Sequence, residues 1–316
     1  MDPRPSLDRL PRRAVLLGGL GTLVLAACGG GGDDPGTATD TATDTETTRR
    51  PGRTSPPAAG DPGVVATTFS LVRFFGDDVL VAGAEQRVPY GLGDQEGVVT
   101  GEVPATLGFT LLGPDGEPVG SPITTESRAE GLPRPYFPVR FAVDTPGIYT
   151  IVTDYRDERL ESVFQVNDPA AVQLPQVGAP MVPSETPTTA DGRGVDPICT
   201  LEPDPCPLHD VTLTEALSEG RPVAFLVSTP KFCQVSICGP VLDVLLAQQG
   251  AYPQVRMLHA EVFTDETTTT TSPAVQDYAL TFEPCLFVAR ADGTIAERLD
   301  NIFDAVEVRA ALDKAL

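Results

Sequence analysis

The hydrophobic pattern of this 316-residue chain changes its period once, and that change limits the fold more than any other feature of the sequence. Between Val64 and Asn167, short apolar runs alternate with polar residues and stop at turn residues, the period-two signature of half-buried strands. Phe137, Val139, Phe141 and Val143 fall on one face of such a strand, and DVLVAG, ATLGFTLL, GIYTIVTDY and ESVFQV read as others, with turns at Asp115-Gly116 and Pro146-Gly147. An all-β sandwich over residues 64–167 is expected. From Val211 the order becomes helix, strand, helix, strand, helix, hairpin, helix. Thr212 with Glu215 predicts a capping box, and PVAFLVS a central strand. Val241, Leu242, Val244, Leu245 and Leu246 give a helix face, and QVRMLHAEVF is the next strand. Ser272-Pro273 opens a third helix, Asp292-Gly293 turns a hairpin, and Asp304 with Glu307 caps the last helix. An α/β domain over residues 207–316 follows from that alternation.

The remaining segments do not read as core. Arg4, Arg9, Arg12 and Arg13 precede an apolar run from Ala14 to Ala27, and LAAC closes at Cys28. The run is too short to span a bilayer, which takes ~20 residues, and has the length of a signal peptide. Residues 28–63 hold almost only Gly, Asp, Thr, Pro and Arg, so burial cannot offset ordering entropy and a tether is expected. Residues 168–206 are again rich in Pro, Thr and Asp and read as a linker.

With 41% hydrophobic residues the chain can build a sizeable core, and its formal charge is −22. Removing residues 1–27, with four Arg and two Asp, takes that charge to −24. A surface so acidic excludes nucleic acid as a partner. No cofactor motif is present, and no metal is expected. The sandwich segment has no His and no Cys, so spacing or partner contact is its expected role rather than catalysis.

Chemistry is concentrated in the cysteines of the second half. Cys199 and Cys206, in ICTLEPDPCPLHD, stand close enough to close a small disulfide loop at the start of the last domain; a zinc pair is the alternative, with few ligands nearby. Cys233 and Cys238 lie where a strand hands over to a helix, and are expected to pair if residues 233–236 are not helical. Cys285, the odd one, is expected as a buried free thiol. His259 lies on the strand face opposite Leu258, Ala260 and Val262, and a structural role is expected for it in preference to a ligand role.

Three segments resemble known families. LAAC after the short apolar run resembles a bacterial lipoprotein signal, which implies lipidation at Cys28 and anchoring on the extracytoplasmic side of the cell membrane. Arg12-Arg13 before AVLLGG also resembles a twin-arginine export signal. TPGIYTI is similar to a run found in immunoglobulin-like domains. The cysteines at the strand-to-helix junction, PVLDVL along the helix and AVQDYALTFEP ending before the hairpin resemble the thioredoxin fold over residues 207–316. That resemblance implies a cis-proline at Pro284, packed against Cys233 and Cys238, with Glu283 bordering the site and in reach of a substrate backbone. It also implies thiol-disulfide exchange with an unidentified envelope protein. Four residues separate Cys233 from Cys238 where the family has two, and the chain has no Trp. A carboxylate at Glu283 is expected to raise the pKa of a nearby thiol. The spacing leaves both Cys233 and Cys238 eligible as the attacking sulfur. A binding module with structural disulfides is the alternative reading. Copper handling ranks behind both, because neither His209 nor His259 lies where thioredoxin-like copper chaperones carry theirs.

Overall fold

The alternating half of the chain folds into two antiparallel four-stranded sheets. The computed structural model describes residues 68–316, which belong to one compact unit. In the first sheet β2 (Glu85–Asp94) is flanked by β1 (Ser70–Arg73), β3 (Gly97–Val98) and β6 (Phe137–Ala142). The second has the order β5 (Ile123–Glu126), β4 (Thr106–Leu112), β7 (Gly147–Tyr155) and β8 (Glu158–Val166). Phe109, Leu111, Phe137, Val139, Ile151 and Phe164 are among the side chains that close the core between them. Fully burying a Leu or Phe contributes ~1.5–3 kcal/mol, and the face alternation of β4, β6 and β8 collects many such contacts. One strand expectation needs correction, and one strand goes unread in the sequence. DVLVAG forms turns with one bridge, Val81 to Asn167, although Val79, Leu80 and Val81 are buried. The long strand β2 is hidden in sequence by Pro89, Gly91 and Gly93; Pro89 faces Pro138 across the pairing with β6. Gly91 is required because a Cβ there would stand 2.6 Å from the Phe74 ring.

The second half is a four-stranded mixed sheet with helices on both faces. Its order is β10 (Arg256–Ala260), β9 (Val223–Val227), β11 (Cys285–Ala289) and β12 (Ile295–Asp300). β10 runs parallel to β9, whereas β11 is antiparallel to both β9 and β12. Every residue of β9 and β11 is buried, as a central strand covered on both faces must be. Val223, Phe225, Val227 and Phe287 pack against α1 (Leu213–Ser218) and α3 (Pro273–Asp277). Ala224, Leu226, Leu286 and Val288 pack against α2 (Cys238–Leu246) and α4 (Ala305–Asp313). The capping box of α1 forms as expected, with Thr212 and Glu215 bonding each other's backbone N–H.

The segment expected as a linker is a strap laid on this layer. Leu174 and Met181 are buried beside Phe225 and Phe287, Pro180 bridges Thr294, and the Gly178 N–H donates to the Ile295 carbonyl. Its Pro and Thr residues hide the order because its few apolar anchors are spaced without period.

A buried polar knot joins the sandwich to the α/β layer. The Arg87 guanidinium reaches from β2 to both Glu307 oxygens in α4, at 2.7 and 2.5 Å, and to the Asp300 and Ile302 carbonyls. The Tyr136 hydroxyl donates to Glu307 and accepts from the Asp304 N–H. The α4 cap is therefore shared between the two halves: Asp304 accepts from the Glu307 N–H, while Tyr136 takes the place Glu307 would have in a capping box.

Candidate functional site

The site forms where β9 ends and α2 begins. After Val227 the chain runs through Ser228–Ile237 before Cys238 opens the nine-residue helix α2. Residues 233–236 are non-helical, with Ser236 at a φ of 56° and its N–H turned back to the Cys233 carbonyl. That bend lets the Cys238 N–H donate to the Cys233 sulfur at 3.3 Å. Both cysteines are free thiols rather than the expected bridge.

The two sulfurs are unequal. Cys233 is half-buried, whereas Cys238 is completely buried. A hydrogen bond from the Cys238 thiol stabilises the Cys233 thiolate; burial opposes ionisation, and the N–H groups of Cys238, Ile237 and Val235 favour it. Together they draw its pKa from the ordinary 9.0 to about 5. The start of α2 adds its dipole in the same sense. Cys238 is pushed up, first because its proton is held on Cys233, then by burial and by the Cys233 charge. Cys233 is the ionised, accessible sulfur and Cys238 the protonated reserve beneath it, an assignment that residue spacing had left open.

Glu283 and Pro284 close the site from the β11 side, and the bond between them is cis. A Glu283 oxygen and the two sulfurs lie within 4.8 Å of one another. Burial, then the Cys233 charge, raises the Glu283 pKa. The sequence led to the expectation that this carboxylate would make the thiolate scarce. It does oppose ionisation of Cys238, but at Cys233 the hydrogen-bond donors prevail. Arg134, from the loop before β6, donates to the Val235 carbonyl at 3.0 Å, so the sandwich touches the cysteine loop. Val235 itself is 49% exposed and offers an apolar rim beside Cys233.

The other cysteines lie elsewhere. Cys285 is free and fully buried on the α1 and α3 face, where its thiol donates to Asp300 at 3.3 Å. Burial, then Asp300, holds its pKa well above the ordinary value, so it is unreactive. Cys199 and Cys206 are also free and buried, and the disulfide expected between them is absent. The reason is chemical company that sequence reasoning missed, because His209 and His259 converge on the two sulfurs. The spacing Cys206-x2-His209 was the available signal; His259, fifty residues on, had none. Cys28 lies outside the described residues. Among the described residues, no helix is long and apolar enough to cross a membrane.

No family model and no curated protein matches the chain. Among solved structures, it is similar to a conjugative transposon lipoprotein from Bacteroides eggerthii DSM 20697, at 13% identity and a TM-score of 0.21. That match covers 33% of this chain and all of the other.

Proposed function

We propose that residues 207–316 are a thioredoxin-like domain, and that the protein is a thiol-disulfide oxidoreductase held by Cys28 on the outer face of the cell membrane. The observation that carries the reading is the unequal pair: a half-buried Cys233 sulfur receiving N–H groups at the start of α2, above a buried Cys238. Further support comes from the sheet order β10-β9-β11-β12, with one parallel pair and an antiparallel hairpin, and from the cis bond before Pro284.

In the reductive direction the Cys233 thiolate attacks one sulfur of a substrate disulfide, forming a mixed disulfide and expelling the other sulfur as a thiolate that takes a proton from water. Cys238 then gives up its proton and attacks the Cys233 sulfur. The second substrate thiolate leaves, and Cys233–Cys238 is left oxidised while the substrate disulfide is reduced by two electrons. Glu283, with its raised pKa and its place beside both sulfurs, is suited to accept the Cys238 proton.

The test is the reduction potential of the Cys233 and Cys238 pair, read in glutathione buffers. Working oxidoreductases fall between about −270 and −120 mV. A value below about −300 mV would mark a structural bridge and end the redox reading in favour of a binding module.

A further inference from the structure

The strongest feature outside the thiol site is the buried cluster of Cys199, Cys206, His209 and His259. The four donor atoms come from a turn of the strap, from the segment leading to α1, and from β10, and all lie within 4.8 Å of one another. We propose that this cluster is a structural zinc site. In a tetrahedral zinc centre with Zn–S of ~2.3 Å and Zn–N of ~2.0–2.1 Å, a sulfur and a nitrogen must stand about 3.5–3.6 Å apart and two nitrogens about 3.3–3.4 Å. Here Cys199 Sγ is 3.6 Å and Cys206 Sγ 3.5 Å from His259 Nδ1, and Cys206 Sγ is 3.2 Å from His209 Nε2. The two nitrogens, His259 Nδ1 and His209 Nε2, are 3.4 Å apart. Four of the six donor–donor distances thus stand close to tetrahedral edges, and the other two lie within 4.8 Å.

The surroundings suit a closed site. All four residues are at most 4% exposed, so no position is left open for substrate, as in structural rather than catalytic zinc centres. His259 Nε2 lies 2.9 Å from the Ser228 hydroxyl and 3.1 Å from its carbonyl. A carbonyl can only accept, so the proton sits on Nε2 and the Nδ1 lone pair faces the cluster, the outer-shell arrangement that metal-bound histidines use. The Cys206 N–H points at Cys199 Sγ at 3.4 Å, and Glu261 clamps the neighbouring turn through the Thr200 N–H and hydroxyl. Two thiolates with a divalent cation are neutral overall, which removes the cost of burying the sulfur charges. Two imidazoles and two thiolates in a tetrahedron favour zinc over a soft monovalent metal.

The site would pin the strap to the edge of β10. It also reaches the thiol site, because the Thr200 hydroxyl accepts from the Lys231 N–H, two residues before Cys233. Zinc would therefore hold the cysteine loop from behind without taking part in exchange.

The experiment is elemental analysis of the full-length protein, purified without chelator, for the wild type and for Cys206→Ser, His259→Gln and Cys233→Ser. The expected result is one zinc per chain in the wild type and in Cys233→Ser, with loss in the other two. A second measurement does not depend on those variants folding. Cobalt(II) added to reduced, metal-free wild type should give the intense visible bands of a tetrahedral site and a near-ultraviolet thiolate charge-transfer band. Failure of the reduced protein to take up zinc or cobalt, a Cys199–Cys206 disulfide in the protein as isolated, copper in place of zinc, or zinc that follows Cys233 would each overturn the proposal.

Discussion

Replacing Cys238 with Ala isolates the largest contribution to the Cys233 thiolate. The variant removes the thiol that donates to Cys233 and leaves the backbone N–H groups of Val235, Ile237 and residue 238 in place. A hydrogen bond to a charged group is worth ~1.5–3 kcal/mol, which at ~1.36 kcal/mol per pKa unit is an upward shift of about 1–2 units. Because Cys233 is half-buried and solvent screens part of the interaction, the lower end is expected. The assay has to follow ionisation and not a rate at one pH. Between a pKa of 5 and one of 9, the thiolate fraction at pH 7 changes roughly 100-fold, but intrinsic nucleophilicity rises by ~40–100-fold over the same interval, so the rates nearly cancel. The midpoint of thiolate ultraviolet absorbance between pH 3 and pH 10, or of the pH profile for reaction with a small disulfide, separates the two. The reduced wild type should titrate near 5. A wild-type midpoint near the ordinary thiol value, or a midpoint in Cys238→Ala that does not move, would refute the argument that Cys238 and the start of α2 prepare Cys233 for attack.

The buried knot predicts how the two halves come apart. Arg87→Met removes the cation that bonds both Glu307 oxygens and leaves only Arg140, 3.8 Å away, to face the buried carboxylate, so the cost in urea unfolding should approach the ~3–5 kcal/mol of a broken buried pair; a cost under about 1 kcal/mol would show the pair to be incidental. Burial is the largest influence on the Glu307 carboxyl and raises its pKa, but the Arg87 charge and hydrogen bond, the Tyr136 hydrogen bond and the Arg140 charge together hold it below its ordinary value. A carboxyl with a lowered folded pKa adds stability that is complete above the unfolded value of ~4.3 and is lost as pH falls through the folded one. Unfolding free energy should therefore drop with acid below about pH 4, and drop less steeply in Glu307→Gln. Cys28→Ala should release the protein from the membrane fraction, since acyl chains contribute ~0.8 kcal/mol per buried CH₂ and supply most of the expected affinity; a variant that stays fully membrane-bound would count against lipidation there.

What the sequence showed plainly was set by neighbours along the chain. The Thr212–Glu215 box, the Asp292-Gly293 tip and the strand β9 all depend on residues within one turn or one strand, and each formed where pattern and turn chemistry put it. What it hid was set across the fold. Asp304 and Glu307 have the spacing of a capping box, yet only half forms, because Glu307 is drawn to Arg87, 220 residues away, and Tyr136 fills its place. The strap looked like a linker because Leu174 and Met181 are isolated apolar residues among Pro and Thr, and only the finished α/β layer gives them something to cover.

The cysteines divide along the same line. Their proximity in sequence suggested two disulfides, since for two sulfurs close along the chain a bond to each other is the first partner to consider. For Cys199 and Cys206, the segment leading to α1 and strand β10 each supply an imidazole; only His209 has a local spacing to Cys206, whereas the fold alone brings in His259, and the pair becomes half of a four-donor cluster. For Cys233 and Cys238, the spacing left both sulfurs eligible, and the loop breaks the tie. Ser236 in the left-handed region turns the chain so that Cys233 stands outside the helix, receiving its N–H groups, while Cys238 lies inside the first turn with no solvent. The four residues between the cysteines thus move the first sulfur off the helix without removing it from the helix's donors.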